Sequence, residues 1–235
     1  MRCLSAARPT TCRVYDLGRA GYRQTWQLQQ RLAVARIEGK VADLLLLVEH
    51  PPVFTVGKAG AGQNIMVPPQ RLSGEGIPLY YVDRGGDVTY HGPGQVVGYP
   101  ILHLRERGLD LHRYVWCLEE VIIRTLAGLS IGAGRRAGHP GVWLGEQKVA
   151  AIGVRVSHWV ASHGFALNVN IDLTPFNYIR PCGLEPGAVT SLRARTGQSI
   201  PLETVKNGLT GHFSTVFQTD TETASPRDLV LADEP

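Results

Sequence analysis

The 235-residue chain carries 24 Lys and Arg against 20 Asp and Glu, a net charge of +4, and is 43% hydrophobic and 19% charged. This balance excludes a disordered or fibrous chain and singles out no nucleic acid. Its cysteines, Cys3, Cys12, Cys117 and Cys182, form no CxxC pair, the usage of reduced intracellular thiols rather than of a disulfide scaffold. The longest apolar run, 44–48, is too short to cross a bilayer and the N-terminus lacks a secretory apolar stretch, so a cytoplasmic protein without a membrane partner is expected. Arg2 and Arg8, with no acidic residue before Asp16, leave an organelle-targeting segment open.

In chain order, the first periodic segment predicts a helix over 22–37, with Trp26, Leu28, Leu32, Ala33 and Ile37 largely sharing one face and Gly39 at its end. Residues 44–48 are apolar on both faces and predict a buried strand, stopped by Pro51 and Pro52. Residues 53–56 predict a further short strand, and 57–76, rich in Gly and Pro, a loop. A strand over 80–82 is expected to lead into Arg84-Gly85-Gly86-Asp87, and 95–102 to return beside it. The intervening Thr89-Tyr90-His91-Gly92-Pro93-Gly94 has the chemistry of turns. Asp110 predicts the N-cap of a second helix, with Leu111, Tyr114, Val115, Leu118, Val121, Ile122 and Leu126 as its apolar face and Cys117 as a small buried hydrophobe. Strands are predicted over 148–156 and 164–169, joined near His158-Trp159. Pro201 and the spacing of Leu202, Val205, Leu209, Phe213 and Val216 predict a third helix. We expect an α/β or α+β body over 15–217, an N-terminal extension over 1–14 and a mobile polar tail over 218–235.

Neither a dinucleotide-binding fingerprint nor a phosphate loop is present, because Gly57, Gly60 and Gly62 have the wrong spacing and Gly57-Lys58 lacks its partners. The Arg84–Gln95 stretch reads equally as a substrate-binding loop or a structural turn: its glycines admit close backbone approach, Arg84 offers a charged anchor, and His91 precedes a Gly-Pro-Gly turn. Cys182, between Pro181 and Gly183, suits a shaped, reactive turn as well as a buried thiol. Lys148 precedes the small apolar run Val149-Ala150-Ala151-Ile152-Gly153, which can hold an amine in a poorly hydrated cleft. A nearby lysine would favour the thiolate of Cys182. A zinc site from His50, His91, His163 and Cys182, and a protease-like pairing of Cys182 with His91 or His163, have no compact motif behind them. Asn168, Asn170 and Asp172 read as hydrogen-bonding residues of a strand end or turn.

Taken together, the ordered series Arg84-Gly85-Gly86, Thr89-Tyr90-His91-Gly92-Pro93-Gly94-Gln95, Gly141-Val142-Trp143, Lys148-Val149-Ala150-Ala151-Ile152-Gly153, His163-Gly164-Phe165-Ala166-Leu167-Asn168 and Pro181-Cys182-Gly183 resembles the lipoyl (octanoyl) transferase family, also called lipoate-protein ligase B. Glu49-His50-Pro51 and Thr190-Ser191-Leu192 add flanking agreement, and the likeness spans roughly residues 15–216. The resemblance implies the α/β biotin/lipoate protein ligase fold, a mixed sheet flanked by helices. It implies transfer of an octanoyl group from octanoyl-acyl carrier protein to a lysine of apo-lipoyl domains, those of 2-oxoacid dehydrogenase complexes and of the glycine cleavage H protein. Cys182 then carries the acyl thioester and Lys148 sets its reactivity. Substrate contacts fall on Arg84, Gly85, Gly86, Asp87, Val88, Thr89, Tyr90 and His91, on Ala151, Ile152 and Gly153, and on Gly164, Phe165 and Ala166. No cofactor, metal, nucleic acid or membrane is implied. An ATP-dependent ligase on the same fold, needing the lysine but not Cys182, is the nearest alternative. Asp87 and the polar tail depart from the family pattern.

Overall fold

The computed structural model describes residues 10–60, 62–181, 185 and 187–229. An eight-stranded sheet forms its centre, in the order β11-β1-β2-β6-β10-β9-β8-β7. These strands are β1 (Thr10–Arg19), β2 (Asp43–Glu49), β6 (Gln95–Ile101), β7 (Gly134–Arg136), β8 (His139–Leu144), β9 (Gln147–Ser157), β10 (Val160–Asn168) and β11 (Thr219–Ala224). Strands β11, β1 and β2 run parallel to one another and the remaining neighbours are antiparallel, so the sheet is mixed. A smaller sheet, β4-β3-β5, is built from β3 (Val53–Val56), β4 (Leu79–Tyr81) and β5 (Val88–His91).

The unbroken leucine run has a direct structural cause. Alternate β2 side chains point to opposite faces, and both faces are covered. Leu45 and Leu47 enter the core beneath α3 (Leu111–Gly128) and α5 (Leu202–Phe217), while Leu44, Leu46 and Val48 enter the core beneath α1 (Tyr22–Ile37). Asp43, at the head of this strand, is buried between Arg36 (2.7 Å) and Arg107 (2.5 Å) and also accepts the His103 amide (3.0 Å). Arg107 reaches on to the Phe217 carbonyl and the Thr219 hydroxyl, so one carboxylate ties α1, β2 and the α5–β11 junction together.

Several expectations are corrected. Helix α1 spans the predicted residues but turns Tyr22, Thr25, Gln29, Leu32 and Arg36 inward, leaving Ile37 exposed. Polar groups occupy that face because they have partners there: Thr25 donates to the Gly21 carbonyl, Gln29 accepts the His163 amide, and Arg36 meets Asp43. Asp110 caps α3 by accepting the Arg113 amide at 2.7 Å, although Leu111 is exposed. Strands β4 and β6 belong to different sheets rather than returning on each other, and of Thr89–Gly94, read as turn chemistry, Gly92–Gly94 do turn whereas Thr89–His91 belong to β5, which pairs with β3. Within the expected loop 57–76 lies a short helix, α2 (Pro69–Gly74). The boundary expected at 14/15 falls inside β1, and the polar tail supplies β11, whose main-chain groups pair with β1 whatever its side chains are. Leu229 packs against the core beneath α1, while residues 1–9 and 230–235 lie outside the described residues. A last helix, α4 (Leu192–Thr196), is capped by Ser191, whose hydroxyl accepts the Ala194 amide. Among the described residues no helix is long and apolar enough to cross a membrane.

Candidate active site

A largely apolar pocket of about 420 Å³ opens between the two sheets. One wall comes from the loop before β5 and from β5 itself: Arg84, Gly86, Val88, Thr89 and His91. The opposite wall is the β9–β10 pair, where Ala151, Ile152 and Gly153 lie directly across from Ala166, Phe165 and Gly164. Lys148 and Pro181 also line it. Three expected contact residues do not. Gly85 uses its amide on the Val154 carbonyl (2.9 Å), tying the loop to β9; Asp87 is buried against the Asn64 amide; and Tyr90 packs on Phe54 and Phe176 behind the wall. The alternation of β5 explains the last case, since Thr89 and His91 can face one side only if Tyr90 faces the other. Cys182 and Gly183 lie outside the described residues.

The glycines of the two walls are demanded by close approaches. A Cβ on Gly153 would stand 3.0 Å from the Gly85 carbonyl and 3.1 Å from Arg84 Cδ, tighter than ordinary contacts, so a side chain there would press the arginine loop off β9 by a few tenths of an ångström. Arg84 is itself buried and donates to the Thr55 carbonyl and hydroxyl (both 2.8 Å) and to the Gly85 carbonyl (3.0 Å). Its role is therefore first to shape the loop.

Lys148 sits near the start of β9, 8% exposed, with Nζ donating to the Pro140 carbonyl at 3.0 Å and lying 4.9 Å from the centre of the Trp143 ring. A cation on an indole face contributes about 0.5–2 kcal/mol depending on desolvation. Its stem crosses Gly141, whose φ of +129° and lack of side chain are both required. A Cβ there would meet the Ala150 carbonyl at 2.5 Å and Lys148 Cε at 3.3 Å. The Gly141 amide is held in turn by the buried Glu119 of α3 (2.9 Å), which also pairs with Arg135. The motifs Gly141-Val142-Trp143 and Lys148-Val149 thus form one cradle for one ammonium group. Downstream of Pro181 the chain returns to it: the Lys148 amide donates to the Ala188 carbonyl (2.7 Å) and its carbonyl accepts the Thr190 amide (2.9 Å).

The histidines lie to one side of the pocket in contact with Tyr22 and Tyr99. His50 Nδ1 is 2.7 Å from the Ala20 carbonyl, which can only accept, so Nδ1 carries the proton and Nε2 accepts from the Tyr99 hydroxyl (2.9 Å). Burial pushes its pKa down to about 4, against a smaller upward pull from that carbonyl. His91 is pushed down to about 3 by burial and then by His50 nearby. His163, with a left-handed φ of +56°, donates Nε2–H to Asp83 (2.8 Å); burial lowers its pKa despite the carboxylate. Asp83 is held well below the usual carboxylate range, first by the His163 hydrogen bond, with Arg155 (2.6 Å) adding to it. Burial thus disfavours charge on all three imidazoles. Sequence reasoning missed Tyr22, Val97, Tyr99, Gly138, His139 and Pro140 as lining residues. Of these, Val97 and Tyr99 carry a signal in their same-face spacing on β6, whereas Tyr22, at the start of α1, was left out of a face drawn from Trp26 onward. Asn170 and Asp172 do serve turns, Asn170 exchanging two hydrogen bonds with Ile200 and Asp172 accepting the Thr174 amide.

Comparison with known proteins agrees with this architecture. The family profile of the lipoyl protein ligase A/B catalytic domain matches residues 21–214. The chain is 49% identical over 206 residues to an octanoyltransferase of Solibacter usitatus, covering 88% of this chain and 93% of that protein. It is 47% identical over 202 residues to one of Rubrobacter xylanophilus, covering 85% and 90%. Among solved structures, a lipoate-protein ligase A bound with ATP superposes with a TM-score of 0.76 at 16% identity, over 93% of this chain and 92% of that one. The bi-partite lipoate protein ligase of Thermoplasma acidophilum gives 0.74 at 16%, over 94% and 90%. The sheet with helices on both faces is therefore the lipoate protein ligase fold, and the chain belongs to the lipoyl protein ligase A/B catalytic domain family.

Proposed function

We propose that the chain is an acyltransferase that moves an octanoyl group from octanoyl-acyl carrier protein to a lysine of an apo-lipoyl domain, through a thioester on Cys182. The observation that carries this reading is the cradle of Lys148 on the same apolar pocket that Pro181, the neighbour of Cys182, lines. Its near-half identity to octanoyltransferases across most of the chain supports the same substrate class.

In the resting site Lys148 takes the thiol proton of Cys182, leaving a thiolate beside an ammonium. The thiolate attacks the carrier thioester; its new bond to the carbonyl carbon forms as the carrier sulfur leaves, and Lys148 returns the proton to that sulfur. The neutral amine of the acceptor lysine then attacks the acyl-Cys182 carbon. Cys182 is expelled as thiolate while Lys148 accepts the surplus amine proton, which restores the ion pair. No ATP is consumed, because the carboxyl arrives already activated. Ala151, Ile152, Phe165 and Ala166 supply the apolar surface an octanoyl chain requires, worth about 0.8 kcal/mol per buried methylene. The acceptors are the lipoyl domains of 2-oxoacid dehydrogenase complexes and the glycine cleavage H protein, and the setting is the cytoplasm.

The likeness to an ATP-bound ligase keeps the ATP-dependent reaction as the competing reading. Purified protein given octanoyl-carrier and apo-lipoyl domain without nucleotide should form the octanoyl amide. Transfer seen only from free octanoate plus ATP would replace this reading with the ligase one.

A further inference from the structure

Two side-chain amides join the His91 wall to the Lys148 cradle, and main-chain carbonyls fix the direction of every bond between them. Gln95 Nε2 donates to the Tyr90 carbonyl (3.2 Å) and to Asn168 Oδ1 (2.9 Å). A carbonyl can only accept, so the amide cannot be flipped, and Gln95 Oε1 must be the atom facing His91 Nδ1 at 2.8 Å. Asn168 is fixed the same way, its Nδ2 donating to the Thr190 carbonyl (2.9 Å). The Thr190 amide then donates to the Lys148 carbonyl (2.9 Å). Gln95, Asn168 and Thr190 are all buried, where such bonds are strong and unmade ones costly.

We propose that Gln95 and Asn168 are positioning residues: their unbroken chain of hydrogen bonds holds His91 as the neutral Nδ1–H tautomer, which presents Nε2 as an acceptor, and locks that wall in register with the strand carrying Lys148. The inference rests on the proposed acyl transfer only for what the Nε2 acceptor does, which is to take a hydrogen bond from the amine that attacks the thioester. Burial is the first cause disfavouring a charged His91, and His50, whose ring is 6.0 Å away, Arg84 and His163 add to it against the pull of the Gln95 hydrogen bond, while Tyr22 of α1 stacks on the ring at 5.7 Å. The imidazole is therefore an acceptor that stays an acceptor at neutral pH.

Imidazole ¹⁵N NMR of the full-length protein tests this, with His91→Phe identifying the resonance. The wild type should show Nδ1 protonated and Nε2 bare, without titration between pH 5 and 8. Gln95→Glu places a carboxylate on Nδ1 and should bring the His91 titration up into that range. Should that variant not fold, Gln95→Leu removes the acceptor and should let the Nε2–H tautomer appear. Asn168→Asp keeps the acceptor for Gln95 but sets an oxygen against the Thr190 carbonyl. It should leave the tautomer unchanged and slow acyl loading by about tenfold in kcat, with little change in KM, as expected for one lost buried hydrogen bond. An Nε2–H tautomer in the wild type, an unmoved titration in Gln95→Glu, or wild-type loading by Asn168→Asp would each overturn the proposal. If the wild type moves no octanoyl group, the proposed function fails while the tautomer and titration results still decide the hydrogen-bond chain.

Discussion

Lys148 is held by what surrounds it rather than by its own preference. Its Nζ rests between the Pro140 carbonyl and the Trp143 ring, over a glycine that has no room for a methyl group. Gly141→Ala should therefore displace the amine without touching its chemistry. A drop of about tenfold or more in acyl loading with unchanged carrier binding is expected, read from single-turnover kinetics. Lys148→Ala should load slowly near neutral pH and recover as rising pH ionises the thiol unaided. An unchanged pH–rate profile would remove the lysine from the ionisation of Cys182. At this scale the sequence was informative where chemistry and spacing coincide, as in Gly141, Lys148 and Gly153. Asn168 was legible as a hydrogen-bonding residue at a strand end, but its pairing with Gln95, 73 residues away, was not, because an amide reveals its partner only in the fold.

Among the elements, β2 organises the rest, and its dependence on Asp43 can be measured. Replacing Asp43 by Ala would leave Arg36 and Arg107 buried without their shared carboxylate. Breaking a buried pair in this way costs about 3–5 kcal/mol, so urea unfolding should show a midpoint well below wild type; a loss under about 1 kcal/mol would mean that water replaces the carboxylate. Asp110→Ala should cost about 1 kcal/mol through the lost cap of α3. Elements with strong periodicity were legible: α1, α3, α5 and the leucine strand lie where apolar spacing puts them. Strands β1 and β11 were not, because their pairing is made by main chain and their sequences mix charged and small residues. The inward face of α1 was read incompletely for a related reason: Leu32 is buried and Trp26, Leu28 and Ala33 pack against the core as expected, but Gln29 and Arg36 are buried by partners from other elements, which apolar periodicity cannot register.

On the scale of the whole molecule, the buried neutral histidines make stability depend on pH. His50 and His91 have pKa values of about 4 and about 3 in the folded chain, against about 6.5 when unfolded. Above pH 6.5 neither state binds these protons and their contribution is complete. As pH falls from 6.5 toward 4 the unfolded chain binds protons that the folded chain does not, so stability falls, by up to about 1.4 kcal/mol per pH unit for each histidine. Unfolding midpoints should be level between pH 7 and 8 and decline below 6.5, and His50→Gln should flatten that decline. An equal slope in the variant would show that other groups set it.

Acyl loading of Cys182 joins the pocket to one chemical event, and intact-mass analysis after mixing with octanoyl-carrier, before any acceptor is added, reads that event itself. The wild type should gain an adduct of one octanoyl group, absent from Cys182→Ala and discharged when apo-lipoyl domain is supplied. Transfer by Cys182→Ala at the wild-type rate, with no adduct on either protein, would contradict it.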